Sequence, residues 1–574
     1  MNRGDKLRIL VAVFLLLLFV AWITVRLCRL HLGLYTGQIE SRNFEQELVA
    51  LRGTIYDRNG RQNPLAISLP GRLVFIDPQS VDPRHDKVQI AERLAQALQM
   101  DVDQILLALN RTDSRFIRLT VSTDDEVFSL LSDKKRISGV GLQPRTIRKY
   151  PQGRRMAHVV GFINAEGVGR AGVEQRYHTN LVGIPGVIAG EVDAFRSELF
   201  RLRRKNVPAV NGADVYLTLD NNIQYIVERE LRETLESSGG DAAWAIVQRV
   251  ETGEILAMVS LPDFDPNHYN DVDALTRRNA AIGVNYEPGS TMKSVIVSAA
   301  LNERIVTPRT MVDAEGGVWA YGGRLLNDHV RGMVDVATVI KKSSNIGAAK
   351  IALMLGNPRM HAYLKAFGFS ERLGIDLPGE ESGLLAPHRR WAPVTPTRLA
   401  IGQGIAVTAL QMLNAYSTIA NGGYLLQPYV VKRVVSSAGE TLYEGKPRRI
   451  IGRPLRPEVA ATMRQLLTGV TEAGGTALRA AVENYTVAGK TGTAQIWGAG
   501  GYSHTDYWAS FAGFCPAAKP EFALIVVIQR PRQFHTGGAV AAPAFGRITQ
   551  AIAHYLEVPP DNMPEAEAPE TEAP

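Results

Sequence analysis

Seventeen consecutive residues, from Ile9 to Val25, carry no charge, and Val11 to Val20 is almost solid Val, Leu and Phe. A helix of that length just crosses a bilayer core. The pattern predicts an uncleaved anchor over 9–25. A cleaved signal has a shorter apolar run and small residues before the cut, whereas Val25-Arg26-Leu27-Cys28 stands here. Leu27 also occupies the place where a lipid-modified Cys28 wants a small residue. Arg3, Lys6 and Arg8 favour a cytoplasmic segment 1–8, a signal blunted by Arg26 and Arg29. A polar, helical stalk is expected over 26–50.

The periodicity then shortens. Arg52-Gly53-Thr54-Ile55-Tyr56-Asp57-Arg58-Asn59-Gly60 reads as a strand closed by an Asn-Gly turn. Up to about residue 220, short strands and Gly/Pro turns surround one helical stretch near 90–100. Tyr150-Pro151-Gln152-Gly153 and Gly169-Arg170-Ala171-Gly172-Val173-Glu174 are turn-rich and architectural in character. Val215, Leu217 and Leu219 alternate like a strand, and a helix is expected over 223–235. Ser237-Ser238-Gly239-Gly240 marks a boundary.

Residues 243–250 and 254–261 form a hairpin around Glu251-Thr252-Gly253, and 485–496, 507–514 and 522–529 read as three further strands. Pro543 opens a closing helix to Tyr555. Two early strands, a long helical middle, three late strands and a last helix predict an α/β (α+β) fold. Its core is one antiparallel five-stranded sheet covered by helices. The domain division read from this pattern is a mixed α/β module over 51–236, the sheet domain over 237–557 and a tail over 558–574. The tail is rich in Pro, Glu and Ala and expected to be disordered.

A length of 574 residues requires more than one core, and the apolar and charged fractions are those of globular protein. The net charge of +7 suits work near anionic membrane or wall polymer. No zinc spacing or aromatic-basic platform points to nucleic acid. The two cysteines, Cys28 and Cys515, are too widely placed to suggest an internal disulfide.

Three short constellations carry chemistry. In Glu287-Pro288-Gly289-Ser290-Thr291-Met292-Lys293, Pro-Gly forces a turn, and Met292, Val295, Ile296, Ala299 and Ala300 continue at helical spacing. Ser290 therefore sits at a helix start, where the ordinary task of a serine is capping. A capping box would place Glu or Gln three residues on, but Lys293 stands there. Ser and Lys at i and i+3 share a face, and a lysine among apolar neighbours is partly desolvated toward its neutral, basic form. Serine needs such a base to become a nucleophile.

The second is Ser343-Ser344-Asn345, between two helical stretches; alone it is an ordinary capping motif. The third is Gly489-Lys490-Thr491-Gly492-Thr493-Ala494 on an expected strand. Thr491 and Thr493 share a face there, and a cation with two hydroxyls suits a substrate carboxylate. An edge strand protected by lysine accounts for Lys490 but not for the glycine and the paired threonines.

In this order the three motifs match the signature of penicillin-binding proteins and related β-lactamases. The sequence resembles the class B penicillin-binding proteins, most closely the division-specific transpeptidases. The Arg52–Gly60 stretch, Tyr150-Pro151 with Ala157-His158-Val159, Gly172-Val173-Glu174 and Gly537-Gly538-Ala539-Val540-Ala541-Ala542-Pro543 extend the likeness from the anchor to about 556.

The resemblance implies an elongated pedestal domain before a transpeptidase domain, on the extracytoplasmic side of the inner membrane. It implies that Ser290 attacks the D-Ala–D-Ala carbonyl of a stem peptide and that Lys293 takes its proton. Ser343 and Asn345 would relay protons and hold the peptide, with Lys490 supporting the relay. Thr491, Gly492 and Thr493 would bind the terminal carboxylate, and the Ser290 and Thr493 backbone N–H groups would form the oxyanion hole. β-Lactams would inhibit it, a glycosyltransferase and other division proteins would be its partners, and no metal or organic cofactor is implied.

Three rival functions differ in the fate of the acyl-enzyme. A β-lactamase needs a water-activating group, and Glu380-Glu381 lies in a Pro-Gly-Glu-Glu-Ser-Gly loop without the expected Asn. A D-alanyl-D-alanine carboxypeptidase differs only in its acceptor. A membrane-tethered scaffold or sensor with little turnover would tolerate loss of Ser290.

Overall fold

In a computed structural model, which describes residues 3–31, 43–125, 128, 137, 139–192, 198–498 and 500–562, the chain forms two compact units. These are Met1–Val49 with Pro185–Ala209, and Ala50–Ile184 with Val210–Pro574.

In the first unit, helix α1 (Arg3–His31) outruns the expected 9–25 at both ends and is long and apolar enough to cross a membrane. The stalk was expected to stay helical to 50. Residues 32–42 of it lie outside the described residues, and Asn43–Leu48 is a strand. It pairs antiparallel with Gly186–Glu191, which pairs in turn with Lys205–Val207. The ladder partner is remote in sequence, so a local pattern could not reveal it.

The second unit contains a seven-stranded mixed sheet. Its path runs through Thr441–Glu444, Val431–Val435, Asp214–Leu217, Ile55–Tyr56, Pro64–Ile76 and Ile117–Ser122, with Val140–Lys149 also on Pro64–Ile76. Only Ile55–Tyr56 of the strand expected over 52–60 is extended. Arg52 is instead buried beside Glu174, its Nε donating to Oε2 at 2.6 Å, while Arg148 Nε donates to Oε1 at 2.7 Å. One wholly buried carboxylate, at the end of the Gly169–Glu174 stretch, thus ties that stretch to Arg52 and Arg148, and these two guanidinium partners offset its desolvation.

Helix α2 (Asn221–Ser238) comes next, capped at its start by Asp220 and ended by Gly239 in the left-handed conformation. Ser237-Ser238-Gly239-Gly240 is therefore the end of a helix that packs on the next sheet.

That sheet is the one expected. Strands β1 (Ala242–Arg249) and β2 (Ile255–Leu261) come early, and the nucleophile-bearing helix α3 (Met292–Asn302) comes after them. Helices α4 (Asn345–Leu355) and α5 (Ala409–Ala420) are next. Strands β3 (Ala488–Gly498), β4 (Gly501–Cys515) and β5 (Phe522–Gln529) and helix α6 (Ala541–Tyr555) complete it. The order is β2-β1-β5-β4-β3, antiparallel throughout.

Every residue of β2 is buried, and α2, α5 and α6 cover the sheet. Helix α6 begins at Ala541, which puts Pro543 in its first turn, where its missing N–H costs nothing. The middle is less helical than expected: two small antiparallel pairs, Met311–Asp313 with Met333–Asp335 and, within the segment they enclose, the hairpin of Val318–Tyr321 with Arg324–Asn327, interrupt it. Both cysteines are free.

Most of the expected tail lies outside the described residues. Its first part is ordered by Asp561, which accepts from Thr486 N at 2.7 Å, and by Asn562 N, which donates to Asn484 O at 3.2 Å.

Candidate active site

Ser290 occupies a single 3-10 turn, Gly289–Thr291, that runs directly into α3. That helix start carries no side-chain cap, so the half-buried Ser290 hydroxyl is not spent on capping. Residues 292–301 are buried all round, which fixes α3 in the core and with it the turn at its end.

Lys293, one turn on, is wholly buried. Its Nζ donates to Ser343 O at 2.6 Å and to Asn345 Oδ1 at 2.7 Å, and lies 3.1 Å from Ser343 Oγ. Two acceptors and one hydroxyl suit a neutral amine, which has two N–H donors and a lone pair. Burial lowers the Lys293 pKa to about 7, against the opposing charge of Asp328.

Ser343 brings both its carbonyl and its hydroxyl to Lys293 because it adopts a φ of 59°. A non-glycine residue there costs roughly 1–2 kcal/mol. The next residue, Ser344, caps α4 by accepting from Gly347 N at 3.0 Å. Asp328, in the loop after the small hairpin, accepts from Ser344 Oγ (2.5 Å) and Ile346 N (2.8 Å). Asn327 O accepts from Asn345 Nδ2 at 2.9 Å, which turns Oδ1 toward Lys293. Asn327 and Asp328 are site residues that the motifs did not disclose, since nothing in their spacing ties them to Ser343.

The third motif lies alongside on β3. Lys490 is wholly buried, and its Nζ donates to Thr491 Oγ1 at 3.1 Å. Burial first, then the nearby Lys293, hold its pKa well below the usual lysine value. Thr491 and Thr493 share the opposite face. Thr493 Oγ1 accepts from Gly537 N at 3.0 Å, and Thr491 Oγ1 lies 3.3 Å from Thr476 Oγ1.

Two glycines let this strand meet the nucleophile turn. A Cβ on Gly289, whose φ is +61°, would lie 2.7 Å from Thr493 O and 3.1 Å from Thr493 N. One on Gly492 would lie 2.2 Å from Ser510 Oγ and 2.7 Å from Pro288 O. At Gly492 the strand is thus closely approached by the protein's own nucleophile turn and by Ser510. The structure thus brings Ser290, Lys293, Ser343, Asn345, Lys490, Thr491, Gly492 and Thr493 into one region. Glu380 is occupied elsewhere, its carboxylate accepting from Leu373 N (2.7 Å) and Gly374 N (3.0 Å).

The family profile described as Penicillin binding protein transpeptidase domain matches residues 243–550, and that described as Penicillin-binding Protein dimerisation domain matches 47–217. The chain is 30% identical to the peptidoglycan D,D-transpeptidase FtsI of Escherichia coli K12, over 97% of this chain and 92% of that protein. It is 33% identical to stage V sporulation protein D of Bacillus subtilis, over 91% of this chain and 80% of that one. Among solved structures, penicillin-binding protein 3 of Mycobacterium tuberculosis complexed with ampicillin superposes with a TM-score of 0.70 at 28% identity. That match covers 91% of this chain and 98% of that one.

Proposed function

The chain belongs to the class B penicillin-binding proteins, and from that premise we infer that it is a serine peptidoglycan D,D-transpeptidase that cross-links stem peptides. The observation that carries this reading is Lys293: buried, with a pKa lowered to about 7, bonded to Ser343 and Asn345, and one turn from an uncapped serine.

In the proposed reaction, neutral Lys293 accepts the Ser290 proton as Oγ bonds to the carbonyl carbon of the penultimate D-Ala. The Ser290 and Thr493 N–H groups hold the oxyanion, usually the largest electrostatic contribution in acyl transfer. The C–N bond then breaks, the proton passes through Ser343 to the leaving amine, and D-Ala departs. An amine of a neighbouring stem peptide attacks the ester, forms the new amide and returns Ser290 to its hydroxyl form. Lys490 supports the relay electrostatically.

We assign the protein to septal wall synthesis, beside a glycosyltransferase and other division proteins, a reading supported by its likeness to FtsI. Helix α1 would anchor it with the catalytic unit outside the cytoplasm, the side on which its substrate lies. The test is to incubate the full chain with a pentapeptide donor and a D-amino acid acceptor. Free D-Ala in equal amount to a new amide product supports transpeptidation. D-Ala released with only hydrolysed donor would establish the carboxypeptidase.

Thr491 and Thr493 are assigned to the terminal carboxylate. A hydrogen bond to a charged group is worth about 1.5–3 kcal/mol, so either Thr→Val change should slow β-lactam acylation about 10- to 150-fold. Valine keeps the β-branch and hence the strand. With the probe's carboxylate esterified, the loss should largely vanish; equal losses with acid and ester would remove these threonines from the carboxylate site.

A further inference from the structure

Glu287 opens the Ser290 motif and takes no part in the proton transfers of acylation. Its Oε1 accepts two hydrogen bonds, from Gly404 N at 2.8 Å and from the Tyr502 hydroxyl at 3.0 Å. The donors come from segments 117 and 215 residues away in sequence. Its second oxygen, Oε2, is buried and has no hydrogen-bond partner among the described residues.

The two partners are not incidental neighbours. Gly404 ends a loop that rests on the nucleophile turn: Gly289 N donates to Gly402 O at 3.2 Å, and a Cβ on Gly402 would lie 2.1 Å from Gly289 O. Tyr502 lies near the turn of the β3–β4 hairpin, directly opposite Trp497, with their ring centroids 4.9 Å apart and the planes nearly perpendicular. The same strand β3 carries Lys490, Thr491 and Thr493 toward the nucleophile. One carboxylate oxygen therefore joins three segments that converge on Ser290.

We propose that Glu287 is a positioning residue for acylation, holding the Gly404 loop and the Tyr502 end of the β3–β4 hairpin in register with the Ser290 turn. The proposal rests on the assignment of Ser290 as nucleophile. Holding reacting groups in register acts on the acylation step more than on initial binding, because small misplacements cost rate steeply. The acceptor geometry of Oε1, not the charge, makes both bonds, so glutamine should substitute for glutamate. The burial that raises the Glu287 pKa is consistent with that tolerance of a neutral side chain.

The experiment is stopped-flow acylation of the full chain in detergent by a fluorescent penicillin over a range of concentrations, which separates binding from the acylation rate constant. Glu287→Ala should lower the rate constant about tenfold or more while changing Kd less than about threefold. Tyr502→Phe should lower it about threefold, and the double variant should be no slower than Glu287→Ala alone, because the two changes remove one shared bond. Glu287→Gln should stay within about threefold of wild type.

Wild-type acylation by Glu287→Ala would overturn the proposal, as would additive losses or a Gln variant as slow as Ala. If melting curves show that Glu287→Ala does not fold, the Tyr502→Phe and Glu287→Gln rates decide, and an unimpaired Tyr502→Phe overturns it. An adduct that survives in Ser290→Ala would instead overturn the nucleophile assignment, and with it the group that Glu287 is held to position.

Discussion

Ser290→Ala is expected to abolish covalent labelling by β-lactams while leaving the melting temperature of the catalytic unit nearly unchanged. The hydroxyl caps nothing at the start of α3, so the fold loses no capping hydrogen bond with it. Alanine is also at least as good a helix former as serine. The change removes the oxygen placed one turn before a buried, weakly protonated lysine. Intact-protein mass after penicillin treatment should show one adduct on the wild type and none on the variant, and peptide mapping should place the adduct on Ser290. An adduct on any other residue would move the active site.

Lys293→Ala should slow acylation by about 10²–10⁴-fold, the usual range for loss of a positioned general base. The cavity left is polar, lined by Ser343 and Asn345, so circular dichroism must accompany the rate to show that the loss is chemical. In the wild type the acylation rate should track the neutral fraction of the base. With a Lys293 pKa of about 7, the rate is low below that pH, where the amine is protonated, and rises to a plateau above it. Lys490 is buried close by, so the observed pKa belongs to the lysine pair.

Asp328 raises the Lys293 pKa by its charge. Asp328→Asn should therefore move the rising limb to lower pH. A limb that does not move would separate Asp328 from the base, and an acylation rate for Lys293→Ala within about tenfold of wild type would remove Lys293 from that role.

The sheet domain was legible because its strands are short apolar runs bounded by Gly, Pro and Asn, and its helices repeat at 3.6 residues. Those periods are local properties of the chain. They placed β1, β2, β3, β4 and β5 within a few residues, although β3 starts at Ala488 rather than 485 and β4 at Gly501 rather than 507. The extension of β4 is supported by its neighbour: Tyr502 pairs with Trp497 across a hairpin too polar to read as strand. By contrast, the sheet that joins Val431–Val435 to Asp214–Leu217 pairs segments more than two hundred residues apart. No local period encodes that register.

The linear chain already revealed which residue types carry the chemistry and their order: a serine at a turn before a helix, a lysine three residues on, a polar trio between helices and a Lys-Thr-Gly-Thr strand. It did so because each motif is short enough for backbone geometry to fix its internal arrangement. How the motifs meet depends on contacts between segments far apart in the chain. Ser343 turns both its oxygens to Lys293 by adopting φ > 0, a conformation no serine prefers on its own. Asn327 orients Asn345, and Asp328 holds its neighbours Ser344 and Ile346, from a loop outside all three motifs. Gly492 leaves room for the nucleophile turn of the protein itself. Burial of both lysines, which makes Lys293 a base near neutral pH, comes from side chains gathered from the whole domain, and desolvation is a property of a packed volume that no stretch of sequence contains.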